Sequence, residues 1–209
     1  METIGQVIQE NSNDVMICNS ECKSTQKLPQ VLDDKRNLTL RYGKRSDFLQ
    51  TFHYVKQEEY SSHPLRCYFG TAPALSKVNK DYGKGTAEEW LTYQLTYVSE
   101  FCGAKEKLTR MQIEELSRVI SRKYGWLNVA ELMLFFQKLK EGEYGRFYGS
   151  IDPQSILIAL STRFLRERWY AHEEREQAIR EKERESYANN AVSYADYLKL
   201  KEQGKLKNI

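Results

Sequence analysis

The chain has 209 residues, and its 32 basic and 29 acidic side chains leave a net charge of +3, so no strong overall field draws nucleic acid onto it. A hydrophobic fraction of 40% with 12% aromatics fits a folded core carrying polar appendages, and no apolar run is long enough to span a bilayer, so no membrane association is expected. Four cysteines (Cys18, Cys22, Cys67, Cys102) and no N-terminal signal pattern predict free thiols in a reducing cytosol.

Residues 1 to about 45 hold no helical or strand period and are expected to be a flexible arm. Its end gathers Lys35, Arg36, Arg41, Lys44 and Arg45. Of these, Arg36, Arg41, Lys44 and Arg45 are the candidate phosphate contacts on this side of the chain.

From residue 46 to about 170 one punctuation recurs: a capping residue, a helical pattern, then glycine. Ser46 precedes a helix in which Phe48, Phe52 and Val55 share a face, fading at Ser61 to Pro64. "PLRCYFGTAP" follows as a loop or short extended piece, with at most a hairpin near Arg66 to Phe69. Pro73 opens a compact helix closed by Gly83. Three capping boxes come next: Thr86 with Glu89, Thr109 with Gln112, and Asn128 with Glu131, each heading a helix that ends at a glycine (Gly103, Gly125, Gly142). Asp152 and Pro153 start a last long helix running to about Tyr187. The fold class is therefore all-α.

The helices also rank by burial. "ELMLFF" is apolar nearly all round, which makes its helix the central one. Ile156, Leu157, Leu160, Phe164 and Leu165 give the last helix a core-facing stripe in its first half. Its second half, "REQAIREKERES", has lost the stripe and carries pairs such as Glu176 and Arg180 at four-residue spacing. Residues 171–209 should thus leave the core as a projecting charged helix, a hinge at "YANNAVS", and a short basic helix from Ser193 to Gly204.

Chemistry is mostly absent. There is no phosphate-cradling glycine loop, no G-x-S-x-G elbow and no H-E-x-x-H pair, and His53, His63 and His172 lie far apart. No catalytic residue, cofactor or metal is expected, and the chain reads as a non-enzyme. Cys18 with Cys22 and His63 with Cys67 give two loose metal-knuckle spacings, against which free thiols are the preferred reading. The Thr109 and Asn128 helices have helix-turn-helix spacing. The second offers only Gln137, Lys138 and Lys140 as polar contacts, so a buried hairpin fits better.

The stretch "GEYGRFYGS" could be an aromatic, basic binding loop or a packed elbow between helices. The elbow is favoured, with one or two aromatics and Arg146 left over for a partner. Candidate partner-binding residues are Tyr144, Arg146, Phe147 and Tyr148, Trp169 on the long helix, and Tyr194, Tyr197 and Leu198 near the end. Lys199 and Lys201 join the candidate nucleic-acid contacts.

The block from Ala72 to Arg168, most specifically "ELMLFFQKLKEGEYGRFYGSIDPQSILIAL", resembles a family of uncharacterised proteins from Bacteroidetes bacteria, their mobile elements and their phages. The resemblance implies an origin more than an activity. In layout the chain is also similar to small helical proteins with which phages and mobile elements load or inhibit a replicative helicase. Those pair a helical domain with a separable C-terminal segment. The expected function is a helical accessory protein acting through protein contacts in DNA replication, with the helicase as a candidate partner. The alternatives are a DNA-binding regulator, using Arg163, Arg166 and Arg168 besides the basic ends, and a structural component of a phage particle.

Overall fold

The computed structural model describes residues 37–190, 197–199 and 201. They belong to one compact unit that begins at Asn37. In chain order the helices are α1 Leu38–Tyr42, α2 Arg45–Thr51, a 3-10 turn Tyr54–Lys56, α3 Gln57–Ser61, α4 Pro64–Phe69, α5 Leu75–Tyr82, α6 Thr86–Phe101, α7 Arg110–Lys123, α8 Val129–Glu141, α9 Pro153–Ile158, a π-helical turn Ala159–Phe164, and α10 Leu165–Asn190. No strand occurs among the described residues; two isolated bridges join Ala74 to Asn128 and Glu106 to Ser150. The fold is all-α.

Helix α8 is the centre. Val129 to Gln137 and Leu139 are all buried, with α3, α4 and α6 packed around them. Both ends of α8 are specified locally. Asn128 Oδ1 accepts from the Glu131 amide while Glu131 Oε2 accepts from the Asn128 amide, closing the expected box. At the far end Gly142 takes φ +78°, a conformation that L side chains rarely adopt, and its N–H reaches back to Leu139 O. A helix enclosed like this has no face for base edges, so the buried hairpin is the arrangement found. Thr109 with Gln112, and Asp152 with Pro153, cap α7 and α9 as read from the sequence.

Four local expectations are corrected. The folded unit takes in residues 37–45, since Leu38 is buried and its amide donates to Asp81 Oδ2 at 3.0 Å, while Tyr82 Oη donates to Leu38 O at 3.0 Å. Residues 64–69 are helix rather than loop or hairpin, with Pro64 in the first turn. The helix expected from Ser46 to Ser61 breaks at Phe52. Its carbonyl accepts from Trp90 Nε1 (2.8 Å) and Gln94 Nε2 (3.0 Å) instead of continuing the helical ladder, and Val55 ends up 63% exposed. Thr86 and Glu89 make no box: the cap is Gly85, Thr86 Oγ1 donates back to Gly83 O, and Glu89 is drawn off to Arg45. In the first, third and fourth of these a long-range partner outcompetes the local pattern.

Gly125 stops α7 for a reason other than left-handed geometry. A Cβ there would stand 2.7 Å from Ser121 O, so only hydrogen fits where the chain folds back on the helix end. Its carbonyl accepts from Ser76 N, which ties α5 to the same turn.

Candidate functional site: a docking corner and a projecting helix

The Gly142 to Gly149 segment is an elbow with one packed side. Tyr144 is buried, its ring stacked on Phe135 at 5.7 Å and 24°, and its hydroxyl donates to Glu167 Oε2 at 3.1 Å. Burial first, then the neighbouring Glu167 carboxylate, pushes that hydroxyl far above the ordinary tyrosine range. The same Glu167 oxygen accepts from Lys138 Nζ at 2.9 Å, and Lys138 also pairs with Glu143 at 3.0 Å. Tyr144 is therefore a structural anchor, which corrects its assignment as a partner contact. Phe147 packs partly against the core as well. What the elbow leaves outside is Arg146, exposed, and Tyr148, 85% exposed.

The π-helical turn decides how α10 meets the rest. Its wider register keeps Leu160 and Phe164 buried and still aims Glu167 and Arg168 at opposite ends of α8. Arg168 Nε donates to Glu131 Oε1 at 2.6 Å, and its guanidinium lies 4.9 Å from the centre of the Trp126 ring. One turn on, His172 meets Phe69 edge to face at 4.7 Å, and Arg175 lies 4.3 Å over the same ring. This is the root of the helix.

On the outer side of the root, Trp169 is 57% and Tyr170 54% exposed, their rings in a T-shaped pair at 5.1 Å. Trp169 stands where the sequence put it. Tyr170 was missed, although its place one residue off the core stripe, beside a tryptophan, was the available signal. Arg163 and Arg166 are exposed beside them.

Every side chain described from Glu174 to Ala188 is exposed. The Glu176 to Arg180 pair forms as expected, at 2.9 Å. Of the candidate tail residues, Tyr197, Leu198, Lys199 and Lys201 are helical and exposed, whereas Tyr194 lies outside the described residues.

The candidate phosphate contacts fare less well. Arg41 donates through Nη1 to Thr71 O (2.7 Å) and through Nη2 to Thr71 Oγ1, and Arg45 pairs with Glu89. Arg41 thus ties α1 to the connection between α4 and α5, and Arg45 ties α2 to α6. Lys44 is exposed at the start of α2, and Arg36 lies outside the described residues.

Two further places hold reactive or polar groups. Cys67 is buried, and its thiol donates to Tyr60 O (3.4 Å) and His63 O (3.7 Å). Burial, and then Glu131, pushes it up to about 11, which makes a poor nucleophile at neutral pH. Cys18 and Cys22 lie outside the described residues, among which no group of three or more His, Cys, Asp or Glu side chains is placed to hold a metal ion. A cleft of ≈ 410 Å³ between α2 and α6, lined by Leu49, Phe52, Tyr54, Trp90, Tyr93 and Gln94 among others, was not foreseen. The Trp90 and Gln94 donors there already serve the Phe52 carbonyl.

Fold and surface together define an all-α scaffold with one exposed corner and one projecting helix. Residues 107–207, which take in α7 to α10 and run on past Asn190, match the model of DUF6633, a family of unknown function. The chain is similar to that family over this span. No curated protein and no solved structure matches it. No helix among the described residues is long and apolar enough to cross a membrane.

Proposed function

We propose that the chain is a non-enzymatic helical accessory protein that acts through protein contacts in the cytoplasm of a bacterial host. The observation that carries this is the change of character along α10. Its first three turns are bound into the core by Glu167, Arg168 and His172, and the rest is a bare helix with exposed side chains. An isolated helix of about 15 residues is marginal in water, so one held out from a rigid base is suited to gain its remaining stability from a partner. The setting is a phage or mobile element of Bacteroidetes, and the partner to test first is the replicative helicase.

Purified full-length chain should co-elute with the host's helicase at micromolar concentration, and truncation after Arg175 should abolish this. No co-elution at that concentration removes the helicase version. A DNA-binding regulator would instead shift an oligonucleotide at low salt and lose it steeply as salt rises. The commitment of Arg41 and Arg45 to Thr71 and Glu89 weighs against that second reading.

A further inference from the structure

The outward face of the α10 root carries a charge pattern that becomes its own complement when reversed. Arg163 and Arg166 precede the exposed Trp169 and Tyr170, and Glu173 and Glu174 follow them. At about 100° per residue, Arg163, Arg166, Tyr170, Glu173 and Glu174 share the side opposite Phe164, Arg168 and His172, which face the core. Arg163 and Glu174 lie toward one flank of that side, Arg166 and Glu173 toward the other. Among the described residues Arg163, Arg166 and Glu174 have no ionic partner, and Glu173 accepts only from Gln177 at 3.3 Å.

We propose that this face docks a second copy of the chain, antiparallel, across a two-fold axis near Trp169 and Tyr170. A two-fold axis brings like flank against like flank, so Arg163 meets Glu174 of the partner subunit and Arg166 meets Glu173 of the partner subunit, twice over. Both pairings centre within a residue of Trp169 along the helix, where Tyr170 supplies the desolvated middle that exposed ion pairs lack and Trp169 packs against its ring from one flank. Charge complementarity selects this occupant over others. A polyanion or a wholly acidic protein would match the arginines and be repelled by the glutamates, and a basic partner would have the reverse problem. The docking does not depend on the accessory-protein reading. In such a dimer the two bare helix ends leave at opposite ends, and Tyr148 is not required.

The test is sedimentation equilibrium of the full chain at about 100 µM, a concentration suited to a small, partly electrostatic interface. The expected result is a monomer–dimer equilibrium that weakens at least about tenfold between roughly 50 mM and 500 mM salt. Arg163→Glu with Arg166→Glu, and separately Glu173→Arg with Glu174→Arg, should each give monomers. Mixing the two reversed proteins should restore a heterodimer, which misfolding of either cannot mimic. Tyr170→Ser should weaken the parent dimer about tenfold, as loss of a central aromatic does. A monomer at low salt, reversed variants that self-associate as well as the parent, or a mixture that stays monomeric would each overturn the proposal.

Discussion

Arg168 Nε lies 2.6 Å from Glu131 Oε1, and this contact fastens the root of the projecting helix to the first turn of the buried one. Glu131 is 1% exposed and its other oxygen accepts from the Asn128 amide at 2.9 Å, so a single carboxylate serves both as a helix cap and as an interhelical tie. Burial pushes the Glu131 carboxyl above its ordinary range, against the pull of the Asn128 amide and of Arg168. Removing the arginine would leave that charge buried and unmatched. Arg168→Ala should therefore cost about 3 kcal/mol in urea-induced unfolding, near the low end for breaking a buried pair because the Arg168 side chain remains 27% exposed. Arg168→Lys should not fully recover it, since an ammonium does not reproduce the guanidinium's contact with the Trp126 ring.

The elbow gives a paired prediction. Tyr144→Phe keeps the stack on Phe135 but deletes the bond to Glu167, and should destabilise by about 1.5–2 kcal/mol, the low end for a hydrogen bond to a charged group. Tyr148→Ala, by contrast, should stay within about 0.5 kcal/mol of the parent. Thermal unfolding of the two variants distinguishes the packed side of the loop from the free one.

Trp90→Phe tests the break between α2 and α3. The ring volume is largely kept, but the donor to the Phe52 carbonyl disappears, with only Gln94 left to serve that oxygen. A loss of about 1–3 kcal/mol is expected from the combined hydrogen-bond and packing change. Amide exchange should speed up for residues 52–57 before the rest of the unit.

His172 sets a pH dependence. Burial, then Arg168 and Arg175, hold its imidazole below the ordinary histidine value, with Glu176 pulling weakly the other way. The unfolded chain then takes up the proton first. The contribution of neutral His172 is whole above the ordinary pKa of about 6.5 and is lost as pH falls through that value toward the lower folded one. Stability measured between about pH 7 and pH 5 should fall for the parent and fall less for His172→Gln.

Inserting one alanine between Leu165 and Arg166, just past the π-helical turn, lengthens the regular helix by one residue. Everything after it would rotate by about 100° relative to the core, taking Glu167 and Arg168 away from Lys138 and Glu131. Far-UV dichroism should keep most of its helical signal while the thermal midpoint drops by more than about 5 °C, the shift expected for at least 1–2 kcal/mol in a domain of this size.

Much of this architecture was legible beforehand. The boxes at Thr109 and Asn128, the Asp152–Pro153 start and the Gly142 stop are satisfied within a few residues of themselves, so local pattern is enough to find them. The apolar circumference of "ELMLFF" likewise identified the central helix, because only enclosure on all sides tolerates it. Arg146, Tyr148 and Trp169 were named together with Tyr144 and Phe147, and which of them stay exposed is decided by the packing.

What tertiary structure alone decided lies where a residue's best partner is far along the chain. The Phe52 carbonyl is claimed by Trp90 and Gln94, Glu89 is claimed by Arg45, and Tyr144 by Glu167, and none of these pairings leaves a periodic trace. The register of α10 is the clearest instance. Sequence alone determines a continuous helix with a greasy first half and a charged second half, but its π-helical turn, and with it the direction faced by Arg163, Tyr170 and Glu174, arises only when Phe164 and Arg168 must both find their places against the same buried neighbour.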